Sequence, residues 1–400
     1  MENKKYEYWL HRMPETGNGT IRELLRRFHT PFEVYGAVRR RSRGVLEVLT
    51  EARMDQVVEY TVKYDLNREY EELLRKEIRF LTPEDEDYPQ RLRKIPLPPY
   101  GLYVIGELPP ENLPAVAMIG ARECSEYGTY VAKSFAKELG AYGIPVISGM
   151  ARGIDSISQE AALQGGGRTY AVLGCGVDVC YPKSSRRLYE RMKEQGGILS
   201  TFPPGTEPMK RLFPERNRIV SGLSDVVLVV EARQKSGTFI TVDMALEQGK
   251  EVYAIPGRLT DRLSDGCNLL LQQGALIAVS PQDLLQHLLP KQMELSLDTE
   301  AETLKENDAA TGHSTDAMTD FRSDAEPERR VDVLTKILDF QPKSLEEIRM
   351  EYEKKTDAAI TVPELLCRLM DLCLEGKAEQ VSSNYYVKKE IAGNAILFPH

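Results

Sequence analysis

Between Ala115 and about Leu289 the chain alternates short, almost wholly apolar runs with amphipathic stretches. No other feature constrains the fold as strongly. The runs are Ala115–Ile119, Pro145–Ser148, Thr169–Leu173, Gly197–Ser200, Asp225–Val230, Glu251–Ile255 and Ala275–Ala278. Strands buried on both faces read as near-continuous apolar runs, and segments such as Tyr127–Ala141 and Ile240–Glu247 supply the helical crossovers between them. The expectation is an α/β fold, a doubly wound and mostly parallel sheet. Ligands of such sheets bind beyond the carboxyl ends of the strands, so the strand-to-helix loops are where function is expected.

The flanking segments differ. Residues 1–80 read as a small helical domain, with Thr20–Phe28 apolar at helical spacing. The Gly17-Asn18-Gly19 turn before it resembles half of a helix–hairpin–helix module, which offers backbone N–H groups to phosphate. Plain helical packing is the simpler reading. Residues 81–290 form the sheet domain, opened by a proline-rich lead-in (81–114) with an edge strand at Leu102–Ile105. Residues 291–329 are acidic and poor in large apolar groups, as in a disordered linker. Residues 330–390 fit a winged helix. Val331–Phe340, Ser344–Tyr352 and Val362–Gly376 are helical, and Ala378–Val381 and Tyr385–Lys388 form a hairpin across Ser382-Ser383-Asn384. Its many acids, among them Glu346, Glu347, Glu351, Glu353 and Asp357, leave a protein-contacting role standing beside DNA-groove reading.

The net charge of −9 taken alone argues against nucleic acid. The acidic stretch Thr299–Glu328 hides a more basic centre, however. No apolar run reaches the roughly 18 residues of a membrane span, and the opening MENKKYEYWLHRMPE lacks a signal-peptide core. A cytoplasmic protein without membrane contact is expected. The cysteines form no C-x-x-C pair and the histidines do not cluster near them, so reduced thiols are expected rather than disulfides or zinc.

The loop ends carry the chemistry. Lys210, Arg211, Arg216 and Arg218 crowd together with Phe213 and Asn217, against one carboxylate, Glu215. Cations suit phosphates, an aromatic face suits a base, and Ser236-Gly237-Thr238 stands where free N–H groups at a helix start would meet a second phosphate. Gly120-Ala121-Arg122 ends the first run. The second ends in Ser148-Gly149-Met150-Ala151-Arg152, whose small residues let a phosphate approach. Neither Gly120-Ala121-Arg122 nor Gly174-Cys175-Gly176 completes G-x-G-x-x-G, because Val179 stands where the last glycine of the second belongs. A P-loop lysine pattern is also missing, so no cofactor is expected. The histidines, at positions 11, 29, 287, 313 and 400, all lie outside these loop ends, and Asp155 suits a helix cap better than a base. The protein is therefore not expected to be an enzyme. Two alternatives remain. SGTFITVDMALEQGK loosely resembles the GGxGTxxE loop of nucleotide-cleaving N-glycosidases, with Glu247 several residues late. A scaffold whose basic loops hold an acidic protein is the other.

AMIGARECSEYG, ISGMARGIDSISQEAAL, YAVLGCGVDVCYP, FPERNRIVSGLSDVVLVVEARQKSGTFIT and IPGRLTDRLSDGCNLLLQQGA, in this order, resemble the DNA-processing protein A (DprA/Smf) family over about residues 80–290. The resemblance implies an extended Rossmann-like domain that binds single-stranded DNA without catalysis. It also implies a homodimer and the loading of RecA recombinase onto incoming DNA during natural transformation. Carried over by position, Arg122, Ser148, Gly149, Lys210, Phe213, Arg216, Asn217, Arg218, Ser236, Gly237 and Thr238 would line the DNA site, with Arg122 and Lys210 on phosphates. Phe213 is either a stacking platform or a buried anchor for its loop. Ser158-Gln159 stands where the family usually has Ala-His, and Ser200-Thr201 where it has Ser-Glu; neither change removes a phosphate contact.

Overall fold

The computed structural model describes residues 3–14, 16–289, 328–339, 342–356, 360–382 and 385–389. The chain divides into two compact units, Met1–Asp298 and Thr299–His400.

The first unit is built on a nine-stranded sheet. Its strands are β1 (Arg79–Leu81), β2 (Leu102–Gly106), β3 (Val116–Ile119), β4 (Val146–Ser148), β5 (Thr169–Val172), β6 (Gly196–Ser200), β7 (Val226–Val229), β8 (Glu251–Ala254) and β9 (Leu276–Ile277), in the order β1-β2-β6-β5-β4-β3-β7-β8-β9. From β6 to β9 every neighbouring pair is parallel. β2 joins β6 antiparallel, and β1 joins β2 in the same sense. Chain order reverses across β3: β4 to β6 extend to one side of it and β7 to β9 to the other. The expected doubly wound, Rossmann-like sheet is present. β1 had no apolar run to announce it and is a short edge addition.

Alternate strand residues serve opposite layers, as the pleat requires. Ala117, Ile119, Val227 and Val229 pack with Ile219 and Val220 of the helix Leu212–Gly222 and with Val242 and Ala245 of the helix Thr238–Glu247. Val116, Met118, Val226 and Leu228 pack with Val131 and Phe135 of the helix Glu126–Ala141 and with Ile154 and Ala161 of the helix Ile154–Gln164. Side chains such as Met118 and Leu228 have no exposed surface; burial on this scale contributes about 1.5–3 kcal/mol per large apolar side chain.

The N-terminal helices gather around Trp9, Leu10, Ile21, Leu24 and Val34. They also reach the sheet, where Tyr8 and Leu73 share a cluster with Phe80, Tyr103 and Ile198. The helix predicted to start at Thr20 begins at Asn18, and Asn18 Oδ1 accepts a hydrogen bond of 3.1 Å from Tyr100 N. That turn fastens the helical part to the lead-in segment. Among the described residues no helix is long and apolar enough to cross a membrane.

In the second unit the helices Glu328–Ile337, Leu345–Thr356 and Val362–Leu374 precede a hairpin of β11 (Ala378–Ser382) and β12 (Tyr385–Lys388). β12 also pairs with β10 (Lys343–Ser344), which the sequence reading lacked, to give the order β10-β12-β11. Leu334, Ile348, Leu365, Leu369 and Tyr386 form its core. This is the helix-and-wing arrangement expected. The hairpin turn at Ser383-Asn384, and all but the last residues of the expected acidic linker, lie outside the described residues.

Candidate nucleic-acid interface

The parallel strands all end along one edge, and the loops there are tied to one another. After β3, Gly120 leaves no room for a side chain: a Cβ would stand 2.7 Å from Ile154 Cγ1. Ala121 O accepts from Ile154 N at 3.1 Å. Gly153, at φ 78°, brings its backbone against Ala121 O, where a Cβ would stand at 2.2 Å. The loops after β3 and β4 therefore pack as one body at the start of the helix Ile154–Gln164.

The helix Leu212–Gly222 crosses these ends from the other layer and delivers Arg216, which is only 4% exposed. Its Nη1 donates to Gly149 O and Val172 O, the carbonyls that follow β4 and close β5, and its Nε donates to Asn217 Oδ1 at 3.1 Å. Asp155 is its carboxylate neighbour and accepts from Gly149 N at 3.1 Å. Burial pushes the Asp155 carboxyl up, and the Arg216 guanidinium opposes that shift. Burial lowers Arg216 itself, Asp155 opposes this, and the second guanidinium at Arg122 adds to it.

Phe213 has two cations over its ring. Arg122 Cζ lies 5.8 Å and Arg216 Cζ 5.7 Å from the ring centroid, a cation–π pair on one ring. A Cβ on Gly174 would come within 3.1 Å of Phe213 Cδ1, so the ring packs against bare backbone; Tyr181 tilts against it at 5.8 Å. Phe213 is half-buried and anchored, while Arg122 and Arg152 are exposed. Lys210 and Arg211 are also exposed and stand directly before Leu212, the first residue of the helix. The N-terminal end of a helix carries partial positive charge, so cations there repel it until an anion arrives. No side chain caps this end.

The expected site residues thus separate. Arg122, Arg152, Lys210 and Arg211 are exposed, and Phe213 and Asn217 are half-buried. Ser148, Gly149 and Arg216 correct the sequence reading. Ser148 is fully buried and its Oγ donates to Met118 O at 2.6 Å, while Gly149 and Arg216 are spent on the internal network above. They shape the loops from beneath. Arg218 turns toward the proline-rich lead-in and donates to Leu97 O at 2.8 Å. Ser236, Gly237 and Thr238 stand at the start of the next helix, with Ser236 Oγ accepting from Thr238 N at 3.3 Å. Among the described residues no hydrogen bond or ring contact joins them to the Arg122–Phe213 group. Gln159 is fully buried and donates to Tyr170 O at 3.0 Å.

Sequence reasoning missed Glu231. It follows β7 at the point where chain order reverses, the usual nucleotide-phosphate position of a doubly wound sheet. Its carboxylate is fully buried, accepts from Ser125 N at 2.9 Å and from Ser125 Oγ, and lies where a Gly128 Cβ would stand 2.2 Å from Oε2. The start of the helix Glu126–Ala141 is filled by the protein's own carboxyl group, which burial pushes up while Ser125 opposes that shift. A carboxylate directly after the apolar run DVVLVV was the available signal.

Fold and edge together define a Rossmann-like α/β protein with a cation-rich strand edge and a buried glutamate at the start of the helix after β3. The sequence profile of the DNA recombination-mediator protein A family matches residues 79–289. The chain is 44% identical over 203 residues to DNA processing protein DprA of Streptococcus pneumoniae, covering 50% of this chain and 71% of that protein. To the protein Smf of Synechocystis it is 35% identical over 295 residues, 72% of this chain and 74% of that one. The X-ray structure of DprA from Streptococcus pneumoniae matches with a TM-score of 0.63 at 33% identity, covering 72% of this chain and 98% of that chain. The chain belongs to the DNA recombination-mediator protein A family.

Proposed function

We propose that this protein binds single-stranded DNA along the carboxyl edge of its sheet, without catalysing a reaction. In this reading it protects incoming DNA and helps load RecA recombinase during natural transformation, as a cytoplasmic homodimer. The observation that carries it is the pairing of Arg122 with Phe213, beside the uncapped helix start at Lys210 and Arg211. Exposed cations fix a phosphate backbone whatever its sequence, and the open part of an anchored ring stacks on a base. Membership of a recombination-mediator family supports the same reading.

The nucleotide-cleaving alternative needs a carboxylate near Ser236. Glu247 is the last residue of the helix Thr238–Glu247, which places it about 13 Å along the axis from the first. Glu231, which precedes this loop, is buried against Ser125.

Fluorescence anisotropy of a labelled oligo(dT) with the full chain, competed by unlabelled single strand or duplex, tests the proposal. Displacement by single strand far below the duplex concentration is expected. Equal competition by both, or no binding, contradicts it.

A further inference from the structure

Arg122 also lines a groove of about 530 Å³ between the helices Glu126–Ala141 and Ile154–Gln164 and the segment 184–188. Ile157 and Leu188 give it an apolar floor, and Arg122, Lys133, Arg152 and Arg187 stand around it. All four cations are exposed, and among the described residues none makes a hydrogen bond or an ion pair. The single carboxylate of the lining, Glu160, is held by Arg191. Elsewhere on this chain surface arginines commonly have a carboxylate neighbour, as Arg186 has Glu190 and Arg168 has Glu107. Unneutralised cations around one concavity focus a positive potential into it.

The groove lies on the sheet layer opposite the helix that carries Phe213. Arg122 touches both. We propose that the groove takes the phosphodiester backbone of single-stranded nucleic acid beyond the Phe213 ring, so that the bound strand crosses the sheet edge at Arg122 from one layer to the other. The proposal rests on the reading of the Phe213 edge given above. Its size suits a nucleoside phosphate, its apolar floor suits a sugar or base, and Lys133 and Arg187 supply the phosphate contacts farthest from the ring.

The test compares the full-length wild type with Lys133→Ala/Arg187→Ala on two oligo(dT) strands. One has roughly 5 nucleotides, near the lower limit of a single-strand site, and one roughly 20. Both side chains are exposed, so the unfolding midpoint should not move. On the longer strand the double variant should bind about tenfold more weakly at low salt. Its slope of log K against log salt should be shallower by about 1.4, since each phosphate contact contributes about 0.7. On the shorter strand it should match wild type. Equal binding of the longer strand by wild type and variant overturns the groove and leaves the Phe213 edge standing. An equal loss on both strands also overturns it, because the two residues would then belong to the first contact. A wild type that binds neither strand overturns both readings together.

Discussion

A Cβ on Gly149 would stand 2.0 Å from Arg216 Nη1, so the backbone after β4 and the guanidinium on the facing helix occupy each other's contact surface. Arg216 cannot swing away cheaply, because it is buried and holds two carbonyls. Gly149→Ala should therefore cost about 1–3 kcal/mol of unfolding free energy, a large share of a domain's stability. Guanidinium unfolding measures it; a cost under about 0.5 kcal/mol would show that the network yields easily.

Arg216→Ala should destabilise by about 3–5 kcal/mol, since it strands the buried Asp155 and leaves the Gly149 and Val172 carbonyls without their donor. The same unfolding experiment decides its role. A variant as stable as wild type that has lost DNA affinity would make Arg216 a surface contact after all.

Phe213→Leu keeps an apolar side chain against Gly174 and removes the ring. The fold should change by less than about 1.5 kcal/mol, while single-strand affinity should fall by about 1–3 kcal/mol, the worth of one stacked base. Unchanged affinity in the oligo(dT) titration would leave the ring an anchor alone.

His11 is enclosed by Phe80, Tyr100 and Tyr103, and its Nδ1 lies 2.8 Å from the Tyr103 hydroxyl. Burial, with Arg12 adding, lowers it from 6.5 to about 4. Between these values the unfolded chain takes up a proton that the folded chain refuses. The stability this residue contributes is present above about pH 6.5 and is lost as pH falls toward 4. His11→Asn, which cannot titrate there, should flatten the decline of the unfolding midpoint over that range. An identical decline in both proteins would contradict the assignment.

The sheet was readable because its central strands, β3 to β7, are buried on both faces. Val226–Val229 is apolar throughout and Thr169–Val172 after its first residue, and the structure shifts the ends of the expected runs by a residue or so. β1 was hidden, since a three-residue edge strand has no periodicity to show. The helix Leu212–Gly222 was read as a basic run rather than a helix; Pro214 and its cations masked the spacing of Leu212, Ile219 and Val220. The candidate site was legible as a composition of loop ends but not as a geometry. Lys210 and Arg216 look alike in sequence. Only the fold, by bringing Asp155, Gly149 and Val172 around one of them, makes it internal. The charge that matters at Lys133 and Arg187 was likewise invisible, because nothing local says that their carboxylates are missing.

The central claim is that exposed cations at the strand edge neutralise the phosphates of a single strand. A salt titration of oligo(dT) binding by wild type, Arg122→Ala and Lys210→Ala tests it most directly. Each substitution should weaken binding to all sequences alike and make the slope of log K against log salt shallower by about 0.7. Affinity and slope unchanged in both variants would contradict the account.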